Sequence, residues 1–172
     1  MAMTQPPRQQ PDADGPAGAA TAYAAPRSDH DWPALEQVLT FRLAGERYGI
    51  AIGAIVEILK YRQATPVPRA EPVVHGIISL RGRIVTVIDG RRRLGLAPAE
   101  IGPTSRIVVV RDQGEPVGIL VDQVLQVLKL PADAIKPPPA TVAAAENGIL
   151  GVCDTRQDSI LILLDTEQFL RT

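Results

Sequence analysis

The chain of 172 residues has a single cysteine, Cys153, so it cannot build a disulfide framework of its own, and a reducing compartment is expected. Aromatic residues make up only 3% of it against 45% hydrophobic residues, which calls for a core of Val, Ile and Leu. No run approaches the ~18 consecutive apolar residues of a membrane span. The opening MAMTQPPRQQPDADG lacks the basic start and apolar stretch of a secretory signal. Neither charge sign is in excess: 18 Lys and Arg face 19 Asp and Glu, a net of −1, so no global field draws the chain to nucleic acid or anionic lipid. A soluble, cytoplasmic protein is expected.

Catalytic constellations are also missing. Of the two histidines, His30 lies in the N-terminal segment and His75 stands alone before a strand. Neither has neighbours at metal-ligand spacing, so no metal and no cofactor is expected. Ser79 is followed by Leu80-Arg81-Gly82 rather than completing the Gly-x-Ser-x-Gly elbow of hydrolases. Cys153-Asp154 has no histidine nearby and reads as a partly buried strand-end thiol. No glycine-rich phosphate loop or dinucleotide fingerprint occurs. The expectation is a protein that is not an enzyme.

Six of the 16 prolines fall in residues 1–33, together with Ala, Gln, Asp and Gly and no apolar periodicity. Such a segment cannot bury enough surface to offset its ordering entropy, and a disordered tail is expected there. Trp32 and Leu35, at its junction with the fold, are expected to cover a core edge. From Val38 the pattern alternates. Phe41 and Leu43, then Tyr48, Ile50 and Ile52, flank Ala44-Gly45-Glu46, which predicts a hairpin. Val56-Glu57-Ile58-Leu59 predicts a further strand. Gly76 to Leu80 and Arg83 to Ile88, joined by Arg81-Gly82, predict a second hairpin. Arg91 to Leu96 is expected to form a short helix capped by Asp89.

The remainder repeats this plan. A shift of 69 carries Gly45-Glu46 onto Gly114-Glu115, Gly49-Ile50 onto Gly118-Ile119 and Leu59-Lys60 onto Leu128-Lys129. A shift of 72 carries Gly76-Ile77 onto Gly148-Ile149, and Ile88-Asp89 corresponds to Leu164-Asp165. Ordered matches at nearly constant spacing indicate an internal duplication. Each half offers about five short strands, and closing such a sheet removes its edges. Two small barrels sharing an apolar seam are expected, because a lobe of that size is marginal alone.

The one charge cluster is Arg81, Arg83, Arg91, Arg92 and Arg93. A basic patch on a small barrel suits single-stranded nucleic acid, but the region has no Phe, Tyr or Trp on which bases could stack. Arg91 to Arg93 read as a solvated helix face. Arg81, at a hairpin turn, is placed to offer its five donors to a carboxylate or to backbone carbonyls of a partner.

The run Gly76-Ile77-Ile78-Ser79-Leu80-Arg81-Gly82-Arg83-Ile84-Val85-Thr86-Val87-Ile88-Asp89 closely resembles the CheW family signature, roughly G-I-I-N-L-R-G-x-I-x-P-V-I-D-L. Glu46 to Ile50, Val56 to Ile58, Val117 to Val124, Lys136-Pro137, Gly148-Ile149 and Ile160 to Asp165 extend the resemblance over residues 38 to 170. It implies an all-β fold of two five-stranded SH3-like barrels around a shared hydrophobic core, with short helices. Lobe one would span about 38–100 and lobe two about 104–170, with strands that can interweave, in a domain covering 34–172. It further implies a non-enzymatic adaptor that joins the cytoplasmic tip of a methyl-accepting chemoreceptor to a CheA-type histidine kinase, and that meets the membrane only through receptor arrays. By matching position, Val56, Gly76 and Arg81 would bind the receptor. Val124 and Val127 would bind the kinase, where the alternative is ordinary barrel core. Three positions depart from the signature. Ser79 stands for the usual Asn, Thr86 for Pro, and Gly90 for a Leu whose loss removes an apolar anchor from the short helix.

Overall fold

The computed structural model describes residues 37–140, 148–155 and 159–171. The predicted tail, with His30, and the junction residues Trp32 and Leu35 lie outside the described residues. The chain runs through β1 (Gln37–Leu43), β2 (Glu46–Ala51), β3 (Ile55–Lys60), β4 (Val74–Leu80) and β5 (Arg83–Asp89) to a one-turn helix α1 (Gly90–Arg93). It continues through β6 (Arg106–Asp112), β7 (Glu115–Val121), β8 (Gln123–Lys129), β9 (Ile135–Lys136), β10 (Ile149–Thr155) and β11 (Ser159–Leu164) to α2 (Thr166–Leu170).

Three hairpins close with a residue–glycine pair: Ala44-Gly45, Arg81-Gly82 and Gln113-Gly114, all at positive φ. Two left-handed residues in succession give a tight turn whose twist matches that of the paired strands. Asp89 caps α1 as predicted, its Oδ1 accepting from the N–H groups of Arg91 and Arg92 at 2.9 and 3.3 Å. The helix is shorter than the predicted Arg91 to Leu96, ending at Arg93.

The strands form two sheets, ordered β8-β1-β2-β11-β10-β9 and β3-β6-β7-β5-β4. One matches the expected five strands, and the other gains the two-residue β9. The sheets do not follow the sequence spans 38–100 and 104–170. The hairpin β1–β2 joins the later strands, while β6–β7 joins β3 to β5, so the two halves exchange their first hairpins. Each exchanged hairpin is held by a parallel pairing, β2 with β11 and β7 with β5. The predicted correspondence between halves then holds strand for strand, with β1, β2, β3, β4 and β5 matching β6, β7, β8, β10 and β11. The details repeat too. Asp89 N–H donates to Val73 O and Asp165 N–H to Gly148 O, each at 2.8 Å, and Asp165 caps α2 as Asp89 caps α1.

Three apolar clusters follow from this exchange. Val38, Leu130, Ile135, Cys153, Leu161 and Leu163 fill one sheet, and Ala64, Ile78, Val85, Val87, Ile107, Val109 and Leu120 fill the other. The largest lies between them, where Phe41, Leu43, Tyr48 and Ile50 of one sheet meet Ile88, Val108, Val110 and Ile119 of the other, with Phe169 of α2. Each such side chain contributes about 1.5–3 kcal/mol by leaving water, so the seam carries a large share of the stability.

Two signature departures acquire a physical reading. Thr86 lies on a strand paired on both sides, with Ile77 and with Val117, where proline could not donate to the ladder. Gly90, though it removes an apolar anchor, does not leave α1 undocked. It is buried, and a Cβ there would stand 2.8 Å from the Leu120 carbonyl oxygen and 3.2 Å from Leu43 Cδ1, so the missing side chain lets the helix start abut the seam.

Candidate partner-binding site

The residues implicated by sequence separate into three places. Val56 and Arg81 come together. β3 slips register against β6 between Ile55 and Glu57, and Val56 and Glu57 both line one groove. The turn Arg81-Gly82 reaches over from the β4–β5 hairpin, and Arg81 Nη2 lies 3.2 Å from Glu57 Oε2. The groove, of about 260 Å³, has Val56, Leu80, Val85 and Pro116 as apolar lining and Glu57, Arg81, Arg83 and Arg111 as charges. Val56 is 46% exposed, and Ile58 and Ile84 of the same sheet are 42% and 67% exposed. The Arg81 side chain is 79% exposed, so its ion pair with Glu57 is worth at most about 1 kcal/mol. Arg81 is therefore available to a partner at little cost to the fold.

Gly76 does not line that groove. It is buried in β4 at φ 154°, and a Cβ there would lie 2.6 Å from the Thr65 carbonyl oxygen. Its bareness lets Thr65 and Ile77 exchange backbone hydrogen bonds of 2.8 and 2.9 Å, which pins the 61–73 connector to β4. Next to it, His75 occupies the bulge between Val74 and Gly76. Its Nε2 lies 3.2 Å from the Tyr61 hydroxyl. Burial lowers the His75 pKa, Arg92 lowers it further, and Asp89 opposes both. A histidine whose folded pKa is depressed adds stability that is present above its unfolded pKa of about 6.5 and is lost as pH falls through the folded value. Replacing His75 with Phe, which cannot titrate, is expected to flatten the loss of stability on acidification below that pH. Urea midpoints across pH 5 to 7.5 check this, and an unchanged slope contradicts it.

Val124 and Val127 both lie on β8, at the edge of the other sheet, but in different settings. Val124 is half-buried against the seam, whereas Val127 is 47% exposed. The register slip between them is repaired by the buried Thr40, whose Oγ1 donates to Gln126 O at 2.7 Å and accepts from Gln126 N–H at 3.3 Å. Core packing thus describes Val124 but not Val127.

The five-arginine cluster does not exist as a patch. Arg81 and Arg83 belong to the groove; of Arg91 to Arg93 only Arg92 is exposed, at 47%, and all three are hydrogen-bonded to other segments. Arg91 makes a bidentate pair with Asp122, at 2.8 and 2.6 Å, and donates to Ala97 O. The hydrogen-bonded Asp122 carboxylate raises its pKa. Arg92 Nη1 donates to Pro72 O, while Arg93 donates to the Phe169 and Gln168 carbonyls at the end of α2. These arginines fasten α1 to both lobes. Sequence reading also missed Glu57 and Arg111 as groove residues. Glu57 enters through its ion pair with Arg81, and Arg111 arrives from a strand 30 residues away from Arg81 in the sequence.

Among the described residues, no group of three or more His, Cys, Asp or Glu could hold a metal, and no helix is long and apolar enough to cross a membrane. Cys153 is buried within β10, not at a strand end, and burial pushes its thiol pKa up, which makes it a poor nucleophile.

The family model described as the CheW-like domain matches residues 37–172. The chain is 29% identical over 135 residues to the chemotaxis protein CheW of Bacillus subtilis, covering 78% of this chain and 86% of that one. It is 30% identical over 138 residues to the protein FrzA of Myxococcus xanthus, covering 80% and 86% respectively. The crystal structure of the scaffolding protein TtCheW from Thermoanaerobacter tengcongensis superposes with a TM-score of 0.72 at 30% identity, over 80% of this chain and 93% of that one. The matching extent and the shared architecture lead to one conclusion: the chain belongs to the CheW-like domain family.

Proposed function

We propose that this chain is a non-enzymatic adaptor that couples a methyl-accepting chemoreceptor to a CheA-type histidine kinase in bacterial chemotaxis or a related signalling pathway. The observation that carries the reading is the division of exposed docking features between the two sheets. One sheet offers Val56 and Arg81 around a groove, and the other offers Val127 on an edge strand. An adaptor needs two separate surfaces on one rigid body, and the shared seam supplies the rigidity. In this reading Val56 and Arg81 meet the receptor. Val127 meets the kinase, with Val124 setting the position of β8. Gly76 serves the scaffold beneath both surfaces, by letting the 61–73 connector bond to β4. The protein works in the cytoplasm and reaches the membrane only through the receptor array.

Arg81→Ala separates contact from scaffold. Its side chain is largely exposed, so stability should change by no more than ~0.5 kcal/mol. Affinity for the cytoplasmic signalling fragment of the receptor should fall by more than about 1 kcal/mol, the scale of a central interface arginine. Kinase affinity should stay the same. Calorimetric titration of both partners, with a melting curve on the same sample, checks all three. Equal losses for both partners, or a lowered melting temperature, would place Arg81 in the scaffold.

A further inference from the structure

We propose that the groove between β3 and the β4–β5 turn selects an acidic segment, one apolar side chain flanked by carboxylates that pair with Arg83 and Arg111. The inference rests on the docking role proposed above for Val56 and Arg81, and it names the chemistry of what docks there. Neither Arg83 nor Arg111 has an assigned role in that reading.

Charge distribution carries the proposal. The groove is lined by three arginines, Arg81, Arg83 and Arg111, and one carboxylate, Glu57, an excess of two positive charges. Three other concave surfaces among the described residues have no such excess. Beside β8 and β10, Arg47 and Lys129 face Asp133 and Asp154. Beside α1, Arg91 and Arg92 face Asp89, Glu100 and Asp122. Between the turn at Gln113 and α2 the lining carboxylates are Asp165 and Glu167, and Arg111 borders both that concavity and the groove, so the groove's excess without it is one positive charge. A chain of net charge −1 thus concentrates positive charge at one groove. Arg83 and Arg111 are exposed and form no ion pair among the described residues, so no internal partner must be given up on binding.

The lining also selects among anions. Val56, Leu80, Val85 and Pro116 give the groove an apolar floor. A phosphate backbone would leave that floor empty, and no Phe, Tyr or Trp lines it to stack a base. A peptide that combines an apolar anchor with carboxylates satisfies both floor and rim. Complementary rim charges speed encounter and reject wrong partners, while the buried anchor holds the complex.

The test uses the full chain and fluorescence anisotropy with three labelled probes. These are a helical peptide with a leucine flanked by glutamates, the same peptide with lysines for the glutamates, and single-stranded oligouridine. The acidic peptide should bind, and raising salt from about 0.05 to 0.5 M, which shortens the screening length to a few Å, should weaken it roughly tenfold or more. The double variant Arg83→Glu/Arg111→Glu should lose binding by a similar factor with an unchanged melting curve. Arg83→Gln/Arg111→Gln, which keeps the side-chain length without charge, should give an intermediate loss and guards against misfolding of the reversal. Equal binding of both peptides, no binding of the acidic one, or preference for the RNA overturns the proposal. A fourth arm uses the receptor fragment. Binding insensitive to salt and to both variants overturns the acidic selection but leaves the docking role standing. Failure of the receptor fragment to bind, with the acidic peptide still bound, sinks the docking role and leaves the groove chemistry intact.

Discussion

Gly76→Ala is expected to cost about 2–6 kcal/mol, a large share of the ~5–15 kcal/mol that holds a domain folded. Two effects combine. The backbone at φ 154° is one that L side chains rarely adopt, which adds about 1–3 kcal/mol of strain. The new Cβ also lies 2.6 Å from the Thr65 carbonyl oxygen and 3.0 Å from Ala64 Cβ. Backbone cannot swing aside as a flexible side chain can, so the Thr65–Ile77 hydrogen bonds must lengthen or break, with an overpacking cost of another ~1–3 kcal/mol. The melting temperature should fall by roughly 10 °C, and the urea midpoint should drop without a change in slope. Because the damage is to the scaffold, affinity for both partners should decline together, unlike Arg81→Ala. A variant of unchanged stability that loses only the receptor would show that Gly76 lies in the contact itself.

The second large effect is expected at Asp122, between the end of β7 in one sheet and the start of β8 in the other. Its carboxylate accepts two hydrogen bonds from Arg91 and one, at 2.8 Å, from the Ala44 N–H in the β1–β2 turn. It thereby joins α1 to the β1–β2 hairpin, which lies in the other sheet. Asp122→Ala removes all three bonds and leaves Arg91, only 18% exposed, without its carboxylate. Breaking a fully buried pair costs about 3–5 kcal/mol, whereas an exposed pair is worth ~0–1 kcal/mol. With Asp122 itself 32% exposed, a loss of about 2 kcal/mol is expected, between those limits. Asp122→Asn, which keeps an acceptor for Ala44, should lose less. A double-mutant cycle with Arg91→Ala isolates the pair, and a coupling of about 1–2 kcal/mol is expected. Unfolding should remain a single transition, since the seam between the sheets is untouched. A coupling near zero would mean that Arg91 is held by Ala97 and the solvent alone.

The hairpins, the Asp89 cap and the aliphatic core were legible because each rests on local chemistry. A residue–glycine pair sets a turn, alternation sets a strand, and an aspartate before a helix sets its start. The hairpin exchange was not legible from pattern. The two halves repeat so closely that β2 meets the same alternation in β5 as in β11, and periodicity does not say which copy is chosen. Arg91 to Arg93 misled for a related reason. A charged helix turn looks solvated until another element arrives, and the carbonyls that Arg93 meets are 75 residues or more away in the sequence. At the groove, the signature run led to Arg81, and matching position led to Val56. Glu57 joined them through its ion pair with Arg81, and Arg111 through a sheet order built from the exchange. Gly76 was legible as important but not for its reason, because one letter does not reveal a positive φ or the Thr65 carbonyl above it.

The adaptor account is tested most directly by co-sedimentation of purified kinase with receptor-containing membranes, with and without this chain. The account predicts that the chain enters the pellet with the receptor and that kinase follows only when the chain is present. With Arg81→Ala, both should be depleted from the pellet. With Val127→Asp, the chain should pellet normally while the kinase stays in solution. Kinase sedimenting equally well without the chain, or a chain that stays in the supernatant whatever the receptor concentration, would contradict it.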